Sequence, residues 1–261
     1  IDSVVVRFDI VALDGAAARS EIENMLGAGV EPLQADFGEI AALENHRDLA
    51  VYFAEANKSG INTPFALGQY VDFKDNDQYM MYTWQGGLGL PDREYYFTDD
   101  EKSEAIRQAY VAHVEKMFDL AGLPDGAAAA QTIMALETRL AAEHMLKEDT
   151  RNMMALYNKI PLAELPNLMP NFAWDAYLDT AVISDIDGLV VTQLDYMKAL
   201  DGIIEDTDMD TWKTFLTWKV LNDAAGYLTE ELDQDSATTD DVRTGILSLM
   251  HPDRDLKPLF K

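Results

Sequence analysis

Cysteine is absent from all 261 residues, which excludes disulfides, thiolate metal sites and a cysteine nucleophile. Long apolar runs are missing as well. The stretches Val4 to Val6 and Ala127 to Ala130 with its flanks fall far short of the roughly 20 residues that a spanning helix requires. Positive charge is scarce: 20 Lys and Arg stand against 47 Asp and Glu, for a formal charge of −27. A surface this negative repels phosphate backbones and anionic lipid, so nucleic acid and anionic membranes are poor partners. It suits solubility or a salty habitat, where screening over about 8 to 10 Å relaxes self-repulsion. The chain opens at Ile1 with no basic segment followed by an apolar one, and reads as a processed or trimmed product.

Catalytic motifs are missing too. A helical zinc-peptidase site needs two histidines at i and i+4, so that both imidazoles reach one metal, with a glutamate between them as general base. The four histidines, His46, His113, His144 and His251, have no such spacing. Glu143-His144 has the right residue types in reversed order, and Leu140 stands where an inverted motif needs histidine. Consecutive residues share no helical face, so His144 is expected on a solvated helix. The acidic tail with Asp233, Asp235, Asp240 and Asp241 lacks the spacing of a calcium loop. Neither a phosphate-binding loop nor a serine nucleophile elbow occurs. No metal site or catalytic residue is expected in this chain.

Apolar residues make up 48% of the sequence, enough for a proper core. Residues 1–32 are ambiguous, with a strand-like run at 4–11 and a helix-like one at 16–26. From Asp36 to Lys58 apolar residues recur at three and four, as a helix or helix pair requires, closed by Ser59-Gly60. Phe65, Leu67, Gln69, Val71 and Phe73 alternate, and so do Tyr79, Met81 and Thr83; the polar turn Lys74 to Asp77 between them marks a β-hairpin. Asp99 and Asp100 suit a helix start. Helices are expected to about Gly122, from Gly126 to Lys147, weakly over 162–168, and over 193–204 and 210–228, with a short last one near 242–249. The fold class is mainly α, a multi-helix domain with one small β-hairpin.

The hairpin leads into Gln85-Gly86-Gly87-Leu88-Gly89-Leu90-Pro91-Asp92-Arg93-Glu94-Tyr95-Tyr96-Phe97. This run resembles the signature of the neprilysin family of zinc endopeptidases. Three further pieces are similar to that family in order and spacing: Val71 to Tyr79, Thr150-Arg151-Asn152 followed by Tyr157-Asn158-Lys159, and Thr211-Trp212 to Leu221. Together they delimit a domain over 33–232, leaving 1–32 unassigned and 233–261 as a divergent tail or linker.

The resemblance implies the helical, amino-terminal half of such an enzyme, which caps a zinc-bearing half and admits only short peptides. Zinc would then belong to polypeptide outside this chain, the partners would be that catalytic domain and short peptides, and the chain alone would be inactive. The zinc motif, the Asn-Ala-x-Tyr strand and the Glu-x-x-x-Asp segment of the family are absent here. Animal relatives are disulfide-rich, so zero cysteine points to a bacterial source, with an envelope or secreted location. The signature residues Gly86, Gly87, Gly89, Pro91, Arg93, Tyr95 and Tyr96 read as structural, Arg93 pinning the loop to carboxylates or carbonyls. Tyr157 and Trp218 read as core aromatics. Arg151 reads as a buried, acid-paired arginine, with contact to a peptide substrate as the minority role. A stand-alone peptide- or protein-binding scaffold remains the alternative.

Overall fold

A computed structural model describes residues 30–225. The expected elements at 4–11, 16–26 and 242–249, and the last residues of the 210–228 helix, lie outside the described residues.

The first helical stretch is a pair. Helix α1, Gln34–Ala41, and α2, His46–Ser59, are separated where Asn45 takes an extended conformation and its side chain accepts from the amides of Arg47 and Asp48. Gly60 ends α2 at φ 79°, a left-handed conformation that glycine adopts without a Cβ penalty. Strands β1, Phe65–Asp72, and β2, Asp75–Gln85, form the antiparallel hairpin. Its turn is only Phe73-Lys74, shorter than the polar run 74–77, because the Asp72 carboxylate accepts the Lys74 amide at 2.8 Å and closes the chain early.

After the short helix α3, Glu94–Phe97, come the long helices α4, Glu101–Leu120, and α5, Gly126–Glu143. Asp100 caps α4 by accepting from the Ser103 amide at 2.9 Å. Helix α5 stops at Glu143, four residues before its expected end at Lys147. The chain then runs through strand β3, Lys159–Pro161, helices α6, Leu165–Leu168, and α7, Trp174–Thr180, strand β4, Gly188–Val191, and helices α8, Leu194–Asp206, and α9, Met209–Ala224. Trp212, Phe215, Leu216, Trp218, Lys219, Val220 and Leu221 of α9 are all buried. A helix apolar on most sides belongs in the middle of a bundle, and α9 packs against α1, α4 and α5.

The fold is mainly α. The hairpin, however, is half of a four-stranded sheet ordered β1-β2-β4-β3, with β4 parallel to β2 and antiparallel to β3. Strand β4 is buried along its whole length and β3 has three residues. Runs that short carry no readable period. Register gives the sheet two unlike faces. Phe65, Leu67, Met81, Leu189, Val191 and Ile160 join the helical core. Around Phe65 that core is aromatic, with Phe53, Phe172, Trp174 and Tyr177 at centroid distances of 5.2–6.3 Å. Tyr70, Tyr82, Trp84 and Val190 occupy the opposite side.

Candidate functional site

The glycine-rich run is tied down residue by residue. Gln85 joins three elements: its amide donates to Gln193 Oε1 at 2.9 Å, and its side chain exchanges two bonds with the Met145 backbone. The Gly86 amide donates to the Pro64 carbonyl at 2.9 Å, and the Gly87 amide to Asn62 Oδ1 at 2.9 Å. Gly87 has φ +87° and sits where a Cβ would lie 3.0 Å from Pro64 Cα. At Gly89 a Cβ would fall 2.0 Å from the Tyr110 hydroxyl. That position admits only glycine.

Beneath Gly89 lies a buried charged network that the apolar periodicities do not reveal. Glu137 on α5 is 0% exposed and Lys219 on α9 is 2% exposed, and Lys219 Nζ lies 2.6 Å from Glu137 Oε1. Tyr110 donates to the same oxygen at 2.9 Å, while Tyr96 donates to Oε2 at 2.7 Å. The Gly89 amide also donates to Oε2, at 3.1 Å, so both carboxylate oxygens are satisfied. The Tyr96 hydroxyl in turn accepts the amides of Gly89 and Leu90, and the Trp218 indole donates to the Tyr110 hydroxyl at 2.9 Å. Burial and then the Glu137 charge push both tyrosine pKa values upward, so both phenols stay protonated and donate. Signature loop, α4, α5 and α9 thus meet on one carboxylate.

Arg93 closes the other side. Its Nη1 donates to the His144 carbonyl at 2.6 Å, at the C-terminal end of α5. His144 is buried, in contrast to the solvated position expected for it. Its Nε2 lies 3.0 Å from the Gly86 carbonyl, and its ring stands edge-on to Tyr196 at 4.7 Å. Burial, helped by the Arg93 charge and opposed by the Gly86 bond, lowers its pKa to about 4, so the ring is neutral at ordinary pH. The solvated expectation fails because α5 ends at Glu143, which turns the next side chain inward beneath the loop.

Over these groups opens a cleft of about 300 Å³, lined by the loop together with Asn62, Arg93, His144 and Lys147. Lys147 Nζ lies 3.6 Å from the Asp92 carboxylate across its mouth. Pro91 lines it too, whereas Tyr95 is half-buried and holds Arg107 through its backbone carbonyl at 2.9 Å. Arg151 does not line it. That residue ends a single turn, Asp149–Arg151, and is exposed, so the expected buried, acid-paired arginine is corrected to a surface one. Tyr157 is half-buried and donates to Asp72 at the hairpin end, while Trp218 lies in the core.

The described residues do not fit a zinc ion. Among them no three His, Asp or Glu side chains converge on a point that could hold a metal. His46 opens α2, His113 packs on Trp218 at 5.6 Å and His144 caps α5; His251 lies outside the described residues. Both carboxylate oxygens of Glu137 are already engaged by protein donors.

Among the described residues no helix is long and apolar enough to cross a membrane. Residues 18–254 match the N-terminal model of peptidase family M13. Rat endothelin-converting enzyme-like 1 is 30% identical over 162 residues, 60% of this chain and 21% of that protein. Human membrane metallo-endopeptidase-like 1 is 26% identical over 204 residues, 72% of this chain and 26% of that one. The structure of the Mycobacterium tuberculosis zinc metalloprotease Zmp1 with an inhibitor superposes with TM-score 0.78 at 28% identity, over 84% of this chain and 34% of that one. PepO from Lactobacillus rhamnosis shares the fold at TM-score 0.68 and 16% identity. The chain therefore spans about a fifth to a quarter of these curated relatives and about a third of Zmp1. With a family model matched along most of its length, the chain belongs to peptidase family M13, in its neprilysin-like amino-terminal part.

Proposed function

We propose that this chain is the helical capping part of a neprilysin-like zinc metalloendopeptidase, and that it limits access so that only short, flexible peptides are cleaved. The observation that carries this reading is the family match along 18–254 in a chain that spans only 34% of a solved zinc metalloprotease. Zinc would polarise the scissile carbonyl and activate water, and its ligands would come from the zinc-bearing part. What this chain supplies is rigidity. A loop fastened at Gln85, Gly86, Gly87, Gly89 and Arg93, over a buried carboxylate with its partners, presents a wall that does not yield to a bulky substrate.

The working unit is taken as 33–232, in a bacterial envelope or secreted enzyme. Arg151, exposed on its own turn, is the residue of this part assigned to touch peptide. The test is activity in two parts. Purified chain alone should hold no stoichiometric zinc and leave a short fluorogenic peptide intact. Assembled with a zinc-bearing part, as one polypeptide or two chains, it should give turnover of short peptides and not of folded proteins. Turnover with stoichiometric zinc from the chain alone refutes the reading.

A further inference from the structure

An antiparallel sheet with one face on a core ordinarily turns polar residues to water on the other. Here the other face is aromatic. Tyr70 stands edge-on to both Tyr82 and Trp84 at 6.0 Å, Phe73 lies 4.9 Å from Tyr82, and Tyr82 stacks on Trp84 at 6.1 Å. Tyr70 also folds back over Gly68, whose Cβ position is 3.0 Å from its ring. Tyr157 closes on the same end, its hydroxyl 3.0 Å from Asp72 and its ring under Lys74 at 4.1 Å. Tyr82 is fully buried, yet it is not part of the main helical core and is covered by these side chains.

The covering layer is itself exposed. Tyr70 is 51% exposed and Phe73 39%, while Met153 at 45% and Met154 at 74% lie in the segment that Tyr157 anchors. Large apolar side chains grouped this way mark an interaction surface.

We propose that this outer sheet face, centred on Tyr70, Phe73 and Trp84 with Met153 and Met154 at its side, is the surface on which the zinc-bearing part of the enzyme docks. The proposal rests on the capping reading. Charge disfavours a second copy as the occupant, since two chains of −27 each repel. Length favours the remaining polypeptide of the family, because about two thirds of Zmp1 lies beyond the part this chain matches. Aromatic and methionine side chains are also the types enriched in protein interfaces.

Hydrogen exchange on the chain alone and on the assembled enzyme decides the matter. Amides of 70–84 and 152–158 should gain at least tenfold protection on assembly, and Tyr70→Ser with Met154→Ser should weaken association tenfold or more. Because Tyr70 packs on Tyr82 and Trp84, the double variant should melt somewhat below the wild-type chain; Met154→Ser alone, at a side chain 74% exposed, should melt with it and serves as the second probe. An active enzyme whose 70–84 amides are unchanged on assembly overturns the docking face while the capping reading stands. A dimer of the isolated chain by sedimentation, lost in the double variant, assigns the face to a second copy and overturns it too. An assembly without zinc or turnover removes the capping reading, and the docking face with it.

Discussion

Replacing Lys219 by methionine isolates the buried network, because methionine keeps the apolar stem of the side chain and removes the ammonium group that pairs with Glu137. In the folded chain Lys219 Nζ is 2.6 Å from Glu137 Oε1, with the two side chains 2% and 0% exposed, so no water replaces the lost partner. Breaking such a pair from one side leaves an uncompensated buried charge and costs about 3–5 kcal/mol. Against the 5–15 kcal/mol that holds a typical domain together, roughly a third of the stability would go. At about 2–4 °C per kcal/mol for a domain of this size, the melting temperature should fall by roughly 6–20 °C. Urea unfolding followed by Trp fluorescence gives the free energy directly. The double variant Lys219→Met with Glu137→Gln should recover part of the loss, since the stranded charge is gone while the amide still bonds Tyr96 or Tyr110. A single variant that costs less than about 1 kcal/mol, with additive effects in the double, would refute a coupled network.

Gly89→Ala drives a methyl into the Tyr110 hydroxyl, 2.0 Å away, and should destabilise by at least the roughly 1–3 kcal/mol of ordinary overpacking, measured by the same urea midpoint. His144 predicts a pH dependence. Its folded pKa of about 4 lies below the usual 6.5, so the unfolded chain binds the extra proton first. Stability is then complete above pH 6.5 and falls by up to about 3 kcal/mol as pH drops to 4, a slope that His144→Gln should flatten. Asp100→Ala removes the α4 cap and should lower the urea midpoint with little change elsewhere. Arg151→Ala, remote from the fold's fastenings, should leave the melting temperature unchanged and raise KM for short peptides in the assembled enzyme.

The helices were legible where their period is long. Asp36 to Lys58 shows three- and four-residue spacing, and Asn45, a strong capping residue, stands where the pair divides. The hairpin was legible from alternation, although its turn closed early through Asp72. What failed was short or context-bound. Strand β4 is the four residues Gly188 to Val191, fully buried, and a run of that length fits a strand or a helix equally well. Its neighbour β3 ends in Pro161, which a sheet tolerates at its edge, and it exists because β4 offers it a partner. Helix α7 likewise follows a region broken by Pro161, Pro166 and Pro170, where local signals favour interruption. His144 faces inward because the helix ends four residues early, at Glu143, which reverses the direction of the next side chain.

The carboxylate at the centre shows in the sequence as a charge set within an apolar face. Ile133, Leu136, Leu140 and Ala141 mark the buried face of α5, and Glu137 sits four residues after Ile133, inside that face. On α9, Lys219 sits four residues after Phe215 and follows Trp218, again among buried positions. Taken singly, each charge reads as the edge of an apolar stripe, where long side chains reach water. Taken together they are opposite charges on the core faces of two helices. A core can retain such residues when the two meet and further donors satisfy what remains. Two such donors lie in or beside the glycine signature: Tyr96 at its end and the backbone of Gly89. The absence of Cβ at Gly89 lets Tyr110 come close, and the amide it exposes reaches the same carboxylate. The Gly-Leu-Gly-Leu spacing therefore records the position of an acid more than 40 residues away, information that no local period contains.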